Sequence, residues 1–260
     1  MQDETLFRPA GELFLPTDSA GNPWGELTGG GPVAGLIARA VQRELSDPDL
    51  FLARLTVDLH RPVPRRTGVA VHTRTVREGK RLRVLEVVLH QDGTEVTRAL
   101  AHVLRRDRTD EAEPDGEIPF AGPDGITDGT LLPTGLGLRW GVHDVIQVRW
   151  LSDQISGSPS RAWMRLPLPL LPDEPTNPLT QLAVLVDCIS AASPVGALFG
   201  PWINSDITLY LHREPRGEWI GMEIERDVEP TGIGVARARL FDEHGPIGTA
   251  HEAVLEHQLG

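Results

Sequence analysis

Apolar positions along the chain alternate between two periods. Val33, Leu36, Ile37 and Val41 fall at helical spacing and predict a helix from Gly31 or Pro32 to Leu45. Pro32 suits a first helical position, where its missing N–H would have no intrahelical partner. Period-two patterning then predicts strands over Ala53–His60, Val69–Arg77 and Leu82–Gln91, the last turning at Asp92-Gly93 into Glu95–Arg105. Short strand candidates around Leu13-Phe14-Leu15 precede the helix. The same order recurs downstream: strands Val145–Leu151 and Arg161–Leu166, then a helix from about Asn177 to Ala191. Asn177 is placed as its N-cap, Pro178 follows, and Leu179, Leu182, Val186 and Ile189 form its stripe. Strands Asp206–His212, Trp219–Arg226, Ile233–Asp242 and Gly248–His257 complete the pattern.

The recurrence extends to residue identity. Leu55-Thr56-Val57-Asp58-Leu59-His60-Arg61 returns as Ile207-Thr208-Leu209-Tyr210-Leu211-His212-Arg213, and Leu82–Leu104 returns as Ile233–Leu255. One offset of about 152 residues aligns the copies up to the hairpin turn and slips by about one residue beyond it. Between them, Arg105–Gly137 is acidic, rich in Pro and Gly and aperiodic, as an interdomain linker would be. The expected units are residues 1–107, a linker at 108–136, and 137–260. Each is an α+β module in which a curved antiparallel sheet wraps one apolar helix.

Composition narrows the partners. The formal charge of −12 disfavours non-specific binding to nucleic acid or anionic membrane. No apolar run approaches the roughly 20 residues of a membrane span. The acidic start Met1-Gln2-Asp3-Glu4 fits neither a secretory signal nor a transit peptide, and the single Cys188 leaves no internal disulfide. The cytoplasm is the expected compartment.

Several segments together resemble the acyl-CoA thioesterase II family of tandem double-hotdog proteins: Gly29-Gly30-Gly31-Pro32-Val33-Ala34, Ala53–Val57, Leu59–Pro64, Ile203-Asn204-Ser205-Asp206-Ile207-Thr208, and Leu211-His212-Arg213 with Glu218-Trp219. The likeness spans nearly the whole chain outside the linker and implies a double hotdog. It also implies hydrolysis of an acyl-CoA by a water that an Asp, a Ser or Thr and a Gln orient, with no metal or redox cofactor. The matching Asp is Asp187 and the hydroxyl falls on Thr208. No Gln occupies the third place; His251 is the occupant by alignment of the copies, and Glu252 the occupant if the register shifts by one.

The residues carry their own argument. Asp187 sits on an otherwise apolar helix, where a carboxylate is costly to bury unless something uses or satisfies it, and its counterpart in the first copy is Gly35. A satisfied polar group near the helix end is the alternative. Thr208 has Thr56 at the matching place in the other copy, so a strand threonine is as fair a reading as a water-positioning hydroxyl. His251 has Leu100 as its counterpart and could exchange a proton near neutral pH, or stand on an exposed strand face. Gly30 and Gly31 open a helix whose N–H groups could polarise a thioester carbonyl, and they would allow close approach of substrate.

Cys188, beside a carboxylate, reads as a small buried side chain rather than a nucleophile. There is no Gly-x-Ser-x-Gly elbow, no phosphate loop, and the spacing from His251 to His257 does not fit a zinc helix. Arg65-Arg66, Arg213 and Arg216 are the basic groups available to the phosphates of CoA. The first expectation is therefore an acyl-CoA thioesterase, with a dimer through exposed sheet edges. The alternatives are a non-catalytic acyl-binding double hotdog and an enoyl-thioester hydratase.

Overall fold

Strand alternation and one long apolar helix stripe per half give the observed architecture. The computed structural model describes residues 4–107, 109, 116–135, 137–151, 159–192 and 202–256. In chain order the elements are β1 (Phe7–Ala10), β2 (Leu13–Pro16), α1 (Gly30–Glu44), β3 (Leu50–Asp58), β4 (Val69–Glu78), β5 (Leu82–Gln91), β6 (Thr94–Arg105), α2 (Val142–Val145), β7 (Gln147–Trp150), β8 (Ser160–Arg165), α3 (Pro178–Leu185), α4 (Ile189–Ala192), β9 (Trp202–Asn204), β10 (Asp206–Leu211), β11 (Ile220–Val228), β12 (Ile233–Asp242) and β13 (Gly245–Glu256). The second helix does not run unbroken to Ala191: a 3-10 turn, Val186–Cys188, separates α3 from α4. Strands β1 and β9, and the short α2, were not legible in the pattern.

All the strands join one antiparallel sheet in the order β1-β2-β4-β5-β6-β3-β10-β13-β12-β11-β8-β7, with β9 beside β13. Its two halves meet where β3 pairs with β10. There Thr56 lies opposite Thr208, with Val57 against Ile207 and Leu55 against Leu209. Because Thr56 and Thr208 are 152 residues apart, the offset of the repeat, each copy meets its own counterpart on the pseudo-dyad. The expected double hotdog is the fold that forms.

The concave face buries Leu85, Val87 and Leu89 of β5, Ala99, Ala101 and Val103 of β6, and Ala250 and Val254 of β13. Each set alternates at period two, so the opposite residues face outward. Against this face lie α1, with Val33, Leu36, Ile37 and Val41 buried, and α3, buried from Leu179 to Leu185. The helices cross at Gly31 and Gly35, one turn apart. A Cβ on Gly31 would overlap the Val184 carbonyl, and one on Gly35 would come within 2.7 Å of a Val184 methyl.

The described part of the expected linker is no free tether. The Phe120 ring packs edge-on against Trp163 and Phe241, Trp163 Nε1 donates to the Ala121 carbonyl at 2.7 Å, and Leu131 and Leu132 are buried. Aperiodic segments bury side chains singly, which hydrophobic periodicity cannot register.

Replacing Gly31 by alanine forces the helices apart at their crossing. A loss of about 1–3 kcal/mol is expected in urea or thermal unfolding, the usual scale for overpacking a close-packed contact. An unchanged midpoint would show that the crossing does not require glycine.

Candidate active site

The site is built where α1 begins. Gly29, its N-cap, supplies no side-chain cap, so the first N–H groups of the helix are left for other partners. One of those groups, the Gly31 N–H, lies close enough to the Asp187 carboxylate to favour its charged form. Gly30 lies so near that a Cβ there would come within 2.5 Å of Asp187 Oδ1. A donor comes from β9, where Asn204 Nδ2 donates to Asp187 Oδ1 at 2.9 Å. Asn204 is aimed there because β9 pairs with β13 (Asn204 opposite Val254) and its amide also reaches the Asp206 carbonyl. Burial pushes the Asp187 carboxyl above its ordinary range, while Asn204 and the Gly31 N–H pull it back down.

Asp187 keeps a partly open face toward a cavity of about 520 Å³. Apolar groups make most of its wall, among them Trp24, Val33, Leu59, Val142 and Trp202; Gly29, Gly30, Asn204, Ser190, His60 and His143 supply polar atoms. The buried His143 sits with Nε2 3.1 Å from Asp144, while Nδ1 accepts or donates no hydrogen bond among the described residues. Burial shifts His143 below the ordinary histidine range, against the pull of Asp144 in the other direction. Arg61 is exposed at the cavity lining. Cys188 is buried beside Asp187, and its thiol is pushed well above its usual range by burial and then by the neighbouring carboxylates.

A second carboxylate stands behind the first. Glu252 of β13 points inward and is 1% exposed, with Oε2 accepting from the Ser190 N–H at 3.1 Å. Burial, then the proximity of Asp187, pushes its carboxyl well above the ordinary range. Of the two occupants expected for the third place, His251 and, with a register shift of one, Glu252, it is Glu252 that faces inward. Thr208 and His251 are directly opposite each other on β10 and β13. Both belong to the outward parity of those strands, between the buried Ile207 and Leu209 and between the buried Ala250 and Glu252. Thr208 Oγ1 instead meets Thr56 Oγ1 at 3.5 Å on the pseudo-dyad. Of the sequence candidates, then, Asp187, Gly30 and Gly31 come together, and Thr208 and His251 stand on the other face of the sheet. Asn204 was missed because a hydroxyl was sought, although it lies four residues before Thr208 in the same segment.

The pseudo-symmetric place, where α3 begins against α1, is built differently. Asn177 accepts from the N–H groups of Leu179 (2.9 Å) and Thr180 (3.4 Å), which fills that helix start with the chain's own side chain. Gln42 Nε2 donates to Asn177 at 2.8 Å, and Arg39 forks onto Glu174 beside it. Gly35 holds the place of Asp187. Of the basic groups proposed for phosphates, Arg65 spends its guanidinium on the carbonyls of Leu27, Asn22 and Trp140, and Arg213 on Asp242. Arg66 and Arg216 remain exposed. Among the described residues no group of three His, Cys, Asp or Glu side chains could hold a metal ion.

The buried, high-pKa thiol gives a direct check on this packing. Cys188 is expected to resist a disulfide reagent in the native protein at pH 8 and to titrate fully once the chain is unfolded in guanidinium. Rapid native labelling would contradict the burial of the Asp187 turn.

Family models match both halves of the chain: the acyl-CoA thioesterase N-terminal domain over residues 18–104 and the acyl-CoA thioesterase C-terminal domain over residues 114–255. Among solved structures, an acyl-CoA thioesterase II TesB2 from Mycobacterium marinum is similar at 18% identity and a TM-score of 0.69, over 96% of this chain and 93% of that one. A hot dog fold protein from Alicyclobacillus acidocaldarius is similar at 18% identity and a TM-score of 0.71, over 98% and 97%. A tesB protein from Mycobacterium avium subspecies paratuberculosis is similar at 14% identity and a TM-score of 0.67, over 97% and 96%. At these identities the likeness is one of fold. No curated protein matches the chain.

Proposed function

We propose, from the premise that the chain belongs to the acyl-CoA thioesterase family matched across both of its halves, that it hydrolyses an acyl-CoA to the free acid and CoA with Asp187 as general base. The observation that carries this reading is a partly open carboxylate at the wall of an apolar cavity of about 520 Å³, held by Asn204 and by the first turn of α1.

The chemistry follows from that arrangement. With the acyl chain against the apolar wall, a water beside Asp187 gives its proton to the carboxylate as its oxygen attacks the thioester carbonyl carbon. The carbonyl oxygen gains charge at the start of α1, where Gly30 presents backbone without a side chain in the way and the helix dipole favours an anion. The C–S bond then breaks, and the proton held by Asp187 neutralises the departing thiolate. Asn204 keeps Asp187 in place and favours its ionised form, as a base requires. Arg61 at the cavity lining suits a phosphate of CoA better than Arg65 or Arg213, which are engaged internally. The lone cysteine favours the cytoplasm as the setting, and the exposed outer residues of the edge strand β1 favour self-association. No helix among the described residues is long and apolar enough to cross a membrane.

The test is thiol release from a panel of short- to long-chain acyl-CoAs. Asp187→Asn should lower kcat by about 10²–10⁴, the usual worth of a general base, with little change in KM. Undiminished turnover in that variant would remove Asp187 from the chemistry. Thr208→Val and His251→Ala, both altered on the outward face, should stay within a few-fold of wild type. Loss of activity in either would return that residue to the site. Tight acyl-CoA binding with no turnover at any chain length would favour the acyl-binding reading instead.

A further inference from the structure

Two carboxylates are linked through Ser190 at this wall, and their surroundings differ. Asp187 has the Asn204 amide as donor, the Gly31 N–H favouring its charge, and a partly open face. Glu252 is 1% exposed; Ser190 supplies its hydrogen bonding at Oε2, and Oε1 has no hydrogen-bond partner among the described residues. An ionised carboxylate with a bare buried oxygen is expensive, and a second negative charge beside it raises the cost further. A carboxylic acid at the same place costs far less, because its O–H can donate and only one oxygen then needs a donor.

The other groups around Glu252 do not supply a compensating cation. The turn before α4 brings Asp187 and the buried Cys188, and the start of β10 brings Asp206, whose charge also disfavours ionisation of Glu252. Across the sheet, β12 places Ala236 opposite Glu252. Arg226 of β11 is directed to the Ser190 carbonyl and packs over the Trp202 ring. Among the described residues, three acidic or thiol groups surround this carboxyl and no cation is ion-paired with it.

We propose that Glu252 works as a carboxylic acid: it and Asp187 hold one proton between them, the proton resides on Glu252, and Glu252 is thereby a positioning residue that keeps Asp187 ionised and the Asp187–Ser190 turn in register. The turn is the physical link. Ser190 donates through its N–H to Glu252 and through its hydroxyl to the Asp187 carbonyl at 3.3 Å, so one short segment carries both carboxylates. Ionising Glu252 would set two like charges against each other in a poorly solvated wall, and their repulsion would displace the Asp187–Ser190 turn from its catalytic register. In its role this inference rests on the thioesterase reading, whereas the location of the proton does not.

The sign of the pH effect follows. A carboxyl that titrates higher folded than unfolded stabilises the protein below the ordinary glutamate range, and that contribution is lost as pH rises toward the folded value. Glu252→Gln keeps the neutral, donating shape at all pH. Denaturant unfolding of wild type and Glu252→Gln should therefore diverge with pH. The wild-type folding constant should fall relative to the variant by about tenfold per pH unit across the window above the ordinary glutamate range. Parallel curves would overturn the proposal whether or not the chain turns over any thioester.

In the acyl-CoA assay, Glu252→Ala should lose up to about 10²-fold in kcat, the scale of a misplaced catalytic group. Wild type should lose rate at alkaline pH, and Glu252→Gln should recover most of the alanine loss and remove that alkaline fall. An alkaline limb that persists unchanged in Glu252→Gln, or a Gln variant as poor as the Ala variant, would overturn the positioning role.

Discussion

Two helices that approach to backbone contact set the geometry on which the site depends. Gly31 and Gly35 present no side chain where α1 meets Val184 of α3, so the start of α1 comes against the turn that follows α3. With larger residues at the crossing the helices would stand farther apart, and Asp187 would lose the Gly31 N–H. Close packing therefore does chemical work here: it substitutes a helix N-terminus for the water that an exposed carboxylate would have. The 3-10 turn at Val186–Cys188 completes the fit by turning Asp187 to that helix start.

The asymmetry between the copies is one of polarity laid over a shared backbone. At equivalent places the second copy has Asp187, Asn204 and Glu252, and the first has Gly35, Leu52 and Ala101. Leu52 and Ala101 are buried in an apolar core. The pairing of β13 with β9 mirrors that of β6 with β3, for Asn204 lies opposite Val254 as Leu52 lies opposite Val103. The first copy thus shows what these strands do when only packing is asked of them, and the second shows the same strands with three polar groups aimed inward. The opposite helix start, filled by Asn177, completes the contrast.

Neighbouring residues divide between the two faces of β13. His251 and Glu252 differ by one position, and strand parity sends the first outward beside Thr208 and the second inward behind Asp187. A register error of one residue exchanges a titratable imidazole on the surface for a buried carboxyl in the wall, with opposite consequences for pH dependence. The identity of the group behind Asp187 is thus decided by pairing across the sheet.

The repeat, the order of the longer strands and of the main helix of each half, the cap of α3 by Asn177, and the singling out of Asp187, Gly30 and Gly31 all follow from the sequence alone. Each rests on local periodicity, helix-end chemistry, or a difference between two aligned copies. Tertiary structure alone decided that the two halves share one sheet through Thr56 and Thr208, that residues 116–135 pack on the second half, and that Asn204 and Glu252 are the companions of Asp187. The reason is that these depend on strand parity and on contacts between segments far apart in the chain. A residue's type says which hydrogen bonds it can make, but the face it occupies is fixed by the partners its strand finds.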